Sequence, residues 1–128
     1  MEFRTGYFAK MNKYVEQGYY PISIARFNPK GIKLMQWIRI APNQDILQGY
    51  KSGQLDELDY EMKYRLQLQN ADVLGDWDKM LEIVGNLKKE YRGIVFLCYE
   101  KSGSFCHRHI FADYMKEKYN IDITELEI

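Results

Sequence analysis

Cysteine, histidine and arginine stand consecutively at positions 106 to 108, within Val95 to Ala112, VFLCYEKSGSFCHRHIFA. An apolar run leads into a Ser/Gly loop, and the loop opens onto a helical pattern that starts with Cys106, His107 and Arg108. The start of a helix carries unpaired backbone N–H groups and the positive end of the helix dipole, so anions are favoured there. The dipole and Arg108 also favour the thiolate of Cys106. Cys106 therefore reads as a nucleophile or, more plainly, as a small buried apolar side chain. Cys98, inside the apolar run, reads as structural. His107 shares a helical face with Ile110, Phe111 and Tyr114. It is either an acid, base or ligand at a crevice, or a core histidine bonded to a backbone carbonyl. His109 falls with Asp113 and Lys116 and reads as a surface residue.

Arg108 and Arg26 offer the planar fork that grips phosphate or carboxylate, with an internal salt bridge to Glu100 as the competing role. Glu100 itself is a second proton carrier if its environment tunes it. Ser102 and Ser104 in the loop and Tyr7 at the end of the first apolar run complete the expected ligand contacts. A phosphatase-type loop needs an arginine soon after the strand-end cysteine, and YEKSGSF after Cys98 has none. No Walker loop is present. A zinc set of Cys98, Cys106, His107 and His109 is disfavoured, because adjacent helical residues diverge and no C-x-x-C pair occurs. No metal ligand or cofactor is assigned.

The elements that must hold these groups follow from hydrophobic periodicity. Met1 to Phe8 reads as a strand, Ala9 to Gln17 as a helix closed by Gly18, and Tyr20 to Arg26 as a second strand broken by Asn28, Pro29 and Gly31. Residues 32 to 42 read equally as strand or irregular loop. Asn43 caps a helix to about Tyr50, Asp56 to Gln69 forms the next, and Asp76 caps a third over Trp77 to Tyr91. The stripe Trp77, Met80, Leu81, Val84 and Leu87 reads as core. Gly93 to Tyr99 is continuously apolar and therefore a central strand covered on both faces. A helix from Cys106 to Tyr119 and a last strand, Ile121 to Leu126, close the chain. The pattern predicts one α/β domain over residues 1–128, with a small, mostly parallel sheet of about four strands covered by helices on both faces. Ligands of such sheets sit beyond the carboxyl ends of the strands, where Thr5 to Tyr7, Arg26 and Glu100 converge on the Cys106 helix.

Composition narrows the function classes. The chain has 128 residues, 46% apolar and 15% aromatic, which excludes a disordered profile. Eighteen basic residues balance eighteen acidic ones, so no global charge marks a nucleic-acid or membrane partner. Locally, Gln17 to Gln44 lacks Asp and Glu but holds Arg26, Lys30, Lys33 and Arg39 with Phe27 and Trp37, either a solvated segment or an anion-contacting patch. Two cysteines make no disulfide scaffold, no signal peptide precedes them, and no apolar run reaches membrane length. A cytoplasmic protein with both thiols free is expected.

The segments LCYEK, SGSFCHRH and FADYM resemble the C-terminal signature of domain-of-unknown-function family 488, a bacterial, archaeal and phage group. TGYFAK, PISIARFNP, IAP followed by DILQGYKSG, and YEMKYRLQL resemble that family's motif order, so the likeness covers nearly the whole chain. The resemblance implies a compact α/β domain and a shared pocket of Arg26, Glu100, Cys106, His107 and Arg108, without supplying a reaction. Ile24-Ala25-Arg26 departs from an Asp-Val-Arg pattern of broader members, so a mechanism that needs that acid does not carry over. Tyr60 and Tyr64 either line the same crevice or belong to the core.

The expected function is an anion- or phosphate-recognising pocket at the Cys106 helix, belonging to an enzyme that acts on a nucleotide, nucleic acid or other phosphorylated compound. Two alternatives stay open: a non-catalytic module that binds nucleic acid or protein through Arg26 to Arg39 and Trp37, and a metal-binding protein.

Overall fold

The computed structural model describes residues 1–101 and 103–128; Ser102, one of the expected ligand contacts, lies outside the described residues. Five parallel strands form one sheet in the order β3-β2-β4-β1-β5. They are β1 (Glu2–Tyr7), β2 (Tyr19–Ser23), β3 (Met35–Gln36), β4 (Gly93–Cys98) and β5 (Thr124–Glu125). The helices are α1 (Met11–Glu16), α2 (Gln44–Lys51), α3 (Glu57–Asn70), α4 (Val73–Gly85) and α5 (His107–Tyr119). The expected α/β architecture holds, with five strands in place of about four. The extra one is β3, two residues from the stretch whose pattern was ambiguous, followed by a 3-10 turn at Ile38–Ile40.

All six residues of β4 are buried, as the continuous apolar run requires of a central strand. β1 pairs with it from Glu2↔Gly93 to Tyr7↔Cys98, and β2 from Tyr19↔Gly93 to Ser23↔Leu97. Alternate β4 side chains feed two cores. Ile94 and Phe96 pack with residues of α2 to α5, while Val95 and Leu97 pack with Tyr14 of α1, Phe8 and Leu126. On the α1 side, Gly6 allows close approach, since a Cβ there would stand 2.5 Å from the Tyr14 ring. Phe96 stacks on Trp77, and Trp37 meets Phe111 edge-on with ring centres 5.6 Å apart.

Several boundaries move for local reasons. The first helix is preceded by a separate 3-10 turn, Phe8–Lys10. β2 ends at Ser23; past Ile24 the chain turns away, and the Arg26 guanidinium donates to the carbonyls of Pro42 and Ala41 at 2.9 and 3.1 Å. α4 starts at Val73, not after Asp76, because the Asp72 carboxylate accepts from the Gly75 N–H at 3.1 Å. Asp76 lies in the first turn instead, where it accepts from Trp37 Nε1 at 2.9 Å and Arg39 at 3.2 Å. The helix ends at Gly85, so Leu87 lies beyond it and is exposed.

Asp72→Ala removes one N-cap bond and should lower the unfolding free energy by about 1 kcal/mol. Urea denaturation of the two proteins measures it, and equal midpoints would show that this carboxylate does not cap α4.

Candidate functional site

β2 and β4 are neighbours whose onward connections run to opposite edges of the sheet, to β3 and β5. Such a reversal opens a crevice beyond the carboxyl ends of the two strands. Here it is a cleft of about 140 Å³ lined by Ala25, Arg26 and Phe27 after β2, Cys98, Tyr99 and Glu100 after β4, Pro42, Leu47 and Lys51 around α2, and Cys106 with His107 at the start of α5. The loop that returns from β4 to α5 is fastened by Phe105, whose ring packs 5.2 Å from Tyr50 and 5.1 Å from Tyr60.

Cys106 is the N-cap of α5 and has extended backbone, φ −154° and ψ 144°. It therefore does not follow the helical fan of side-chain directions, and its sulfur lies beside the end of β4. There Cys98 and Cys106 are joined as a disulfide, which corrects the expectation of two free thiols. The pairing was hidden because the sequence pattern placed Cys106 inside the helix, eight residues from a cysteine read as purely structural.

His107 is buried, and its Nε2 lies 2.7 Å from the Ile24 carbonyl oxygen. A carbonyl only accepts, so Nε2 carries the proton and Nδ1 presents a lone pair. Nδ1 is 3.8 Å from Cys106 Sγ. Burial pushes the imidazole down to about 4, helped by the charges of Arg108 and His109 and opposed by the Ile24 bond. Of the two sequence readings, the carbonyl-bonded core histidine describes Nε2, while Nδ1 remains directed at sulfur. The described donor atoms of Cys98, Cys106 and His107 all lie within 4.8 Å of one another and form the one group of three suited to a metal ion among the described residues.

Arg108 is fully buried. Its Nε and Nη2 grip the Glu125 carboxylate at 3.0 and 2.9 Å, and Nη1 donates to the Glu100 carbonyl at 2.6 Å and to Cys98 Sγ at 2.9 Å. Thr5 adds a hydroxyl bond to Glu125 at 2.6 Å. The family model DUF488-N3a, described as the active DUF488-N3 subclade, matches residues 8–119. The chain belongs to this family. No curated protein and no solved structure matches it.

In this DUF488-N3 chain the expected site residues separate into two groups. Arg26, Glu100, Cys106 and His107 share the cleft, as does Cys98. Arg108 lies behind it with its guanidinium engaged by the protein, and its carboxylate partner is Glu125 in place of the expected Glu100. Glu100 contributes its carbonyl to Arg108 and keeps an exposed side chain at the rim. Tyr7 is half-buried under Arg108, 5.9 Å from ring centre to guanidinium carbon, and supports it from outside the cleft. Ser104 sits in an exposed turn outside the lining. His109 is half-buried rather than superficial, with Nε2 buried and without a hydrogen-bond partner among the described residues. Tyr60 and Tyr64 are core, and Trp37 is buried against Asp76, so the Arg26 to Arg39 segment offers no tryptophan face for stacking.

Sequence reasoning missed Lys51, a second cation at the cleft, and Glu125. Glu125 is reached only through the pairing of β5 with β1, which puts it beside Thr5. An acidic residue in the short closing strand was the available signal.

His107 gives the fold a pH dependence of fixed sign. The unfolded chain protonates it near 6.5 and the folded chain near 4, so the stabilisation is complete above about pH 6.5 and is lost as pH falls through 4. The loss across that window is about 3 kcal/mol. Unfolding free energies measured from pH 7 to 4 should fall accordingly, less steeply in His107→Gln; His109, also lowered by burial, adds to the slope. Nitrogen NMR should show the Nε2–H tautomer at neutral pH, and an Nδ1–H signal would overturn the assignment.

Proposed function

We propose that this DUF488-N3 protein is an enzyme whose β2/β4 cleft takes a small anionic ligand, a phosphorylated compound or nucleotide, and that reduced Cys106 is its nucleophile. The observation that carries the reading is the Cys106–His107 pair at the cleft floor, with Nδ1 unprotonated 3.8 Å from the sulfur. A dithiol reductant supplies two electrons and two protons to the Cys98–Cys106 bond and returns two thiols. As Cys106 Sγ then attacks the phosphorus of a bound phosphate ester, the S–P bond forms while the P–O bond to the leaving alcohol breaks. The thiol proton passes to Nδ1, a hydrogen bond's reach away once ligand draws the pair together, and the departing oxygen takes its proton from water at the cleft mouth. A second water hydrolyses the S–P bond to release phosphate and restore the thiol. Arg26 is held by the carbonyls of Pro42 and Ala41 through Nε and Nη2, and Nη1, without a hydrogen bond among the described residues, is its remaining donor edge for an anion. Lys51 adds a second positive charge. Glu100 at the rim is the second proton carrier.

The cleft volume admits one phosphoryl group or one ring rather than a whole nucleotide, and exposed Phe27 and Tyr99 flank its mouth as apolar surfaces for the remainder. Arg108, which was expected to clamp the ligand, acts here as a positioning residue for the Cys98 and Cys106 walls.

Alkylation of Cys106 by iodoacetamide tests this in protein kept reduced with a phosphine. Inorganic phosphate or adenosine monophosphate should slow alkylation in a saturable way. Arg26→Ala should weaken that protection about tenfold or more, the worth of a charge-assisted hydrogen bond. Protection absent in the wild type, or identical in Arg26→Ala, contradicts the reading.

The convergence of three buried donors favours one second reading. The extended cap removes the divergence that argued against a metal, and His107 donates its other nitrogen to a carbonyl as metal-bound histidines do. Reduced Cys98 and Cys106 with His107 Nδ1 would hold a soft divalent ion such as zinc, leaving a fourth position toward the cleft. Anaerobic addition of cobalt(II) should then give thiolate-to-cobalt absorption at one equivalent, and a flat spectrum removes the reading.

A further inference from the structure

Helix α3 is apolar on two opposite faces. Tyr60, Tyr64 and Leu68 face the core and are buried, whereas Leu58, Met62 and Leu66 are 66%, 63% and 56% exposed. These three recur every fourth residue, so Leu58 and Leu66 stand about 40° to either side of Met62 around the helix axis. Three large apolar side chains in one row along a solvent-facing helix mark a contact surface.

We propose that this row is the contact between two copies of the chain, which pack α3 against α3 in antiparallel fashion about a twofold axis next to Met62. The charge pattern on the two edges of the row selects this occupant and this direction. One edge carries Asp59 followed by Lys63, and the other carries Glu61 followed by Arg65. Each edge therefore runs from acid to base along the helix. In an antiparallel pair the edges stay face to face while the order reverses, so Asp59 meets Lys63 of the second copy and Glu61 meets Arg65 of the second copy. A parallel pair would put acid on acid. Asp59 and Lys63 are exposed, and Lys63 has no ion-pair partner among the described residues. Arg65 is already oriented by Glu61 at 2.9 Å and by Glu117 at 2.9 Å, which holds it beside the row. A self-complementary patch of this kind is what a twofold interface requires. Its area, set by one helix face, belongs to the small and reversible class of interfaces.

Sedimentation velocity of the full chain over a hundredfold concentration range tests the proposal. The wild type should pass from monomer to dimer, and Met62→Glu should stay monomeric throughout. Lys63→Glu should weaken association at least fivefold, and adding Asp59→Lys to it should restore most of the loss, which a merely structural role of either residue would not do. Asp59 also belongs to the capping box of α3, so thermal melts accompany the charge variants; if the double variant is unfolded, Leu66→Glu and Met62→Gln replace it, and both should weaken the dimer. A wild type that remains monomeric overturns the proposal, as does a dimer indifferent to Met62→Glu.

Discussion

The buried guanidinium of Arg108 ties together the three parts of the chain that must meet at the cleft. It reaches the Glu125 carboxylate on β5, the Glu100 carbonyl past β4 and the Cys98 sulfur at the end of β4. A fully buried cation is costly unless its donors are matched, and removing one partner of such a pair costs about 3–5 kcal/mol. The fork therefore fixes the start of α5 against the sheet. Cys106 and His107, immediately before it, inherit their positions from that anchorage.

With the anchor in place, the chemistry of His107 follows from a single bond. The Ile24 carbonyl can only accept, so the ring proton resides on Nε2 and the lone pair faces sulfur. Burial keeps the ring neutral at ordinary pH. A neutral imidazole with a lone pair directed at a thiol is a proton acceptor when the thiol is free, and a ligand when a soft ion bridges it to Cys98. Both readings depend on the same reduced state, because the disulfide occupies the sulfur electrons that either would use.

Much of the fold was legible because it rests on periodicity. The continuous apolar run at 93–98 could only be a central strand, and the two-faced core it feeds follows from alternation along it. Helix α4 was misplaced by four residues because two aspartates compete for the cap, and only geometry shows that Asp72 reaches a backbone N–H while Asp76 turns to Trp37. The cleft was located by Arg26, Glu100, Cys106 and His107, all named from residue type and strand end. What stayed hidden depended on contacts between distant segments or on a non-helical cap: Glu125 through the β1–β5 pairing, Lys51 through the seating of α2, and the Cys98–Cys106 pairing through the extended backbone of Cys106. The family match, over residues 8–119, includes Arg26, Lys51, Cys98, Glu100, Cys106 and His107 and ends before Glu125.

The most direct measurement is a crystal structure of the reduced protein grown with a nucleoside monophosphate. Phosphate density should bridge Arg26 and Lys51 above a free Cys106 sulfur, with His107 still bonded to the Ile24 carbonyl. Phosphate seated elsewhere on the molecule, with the β2/β4 cleft closed to it, would show that this cleft is not the anion site.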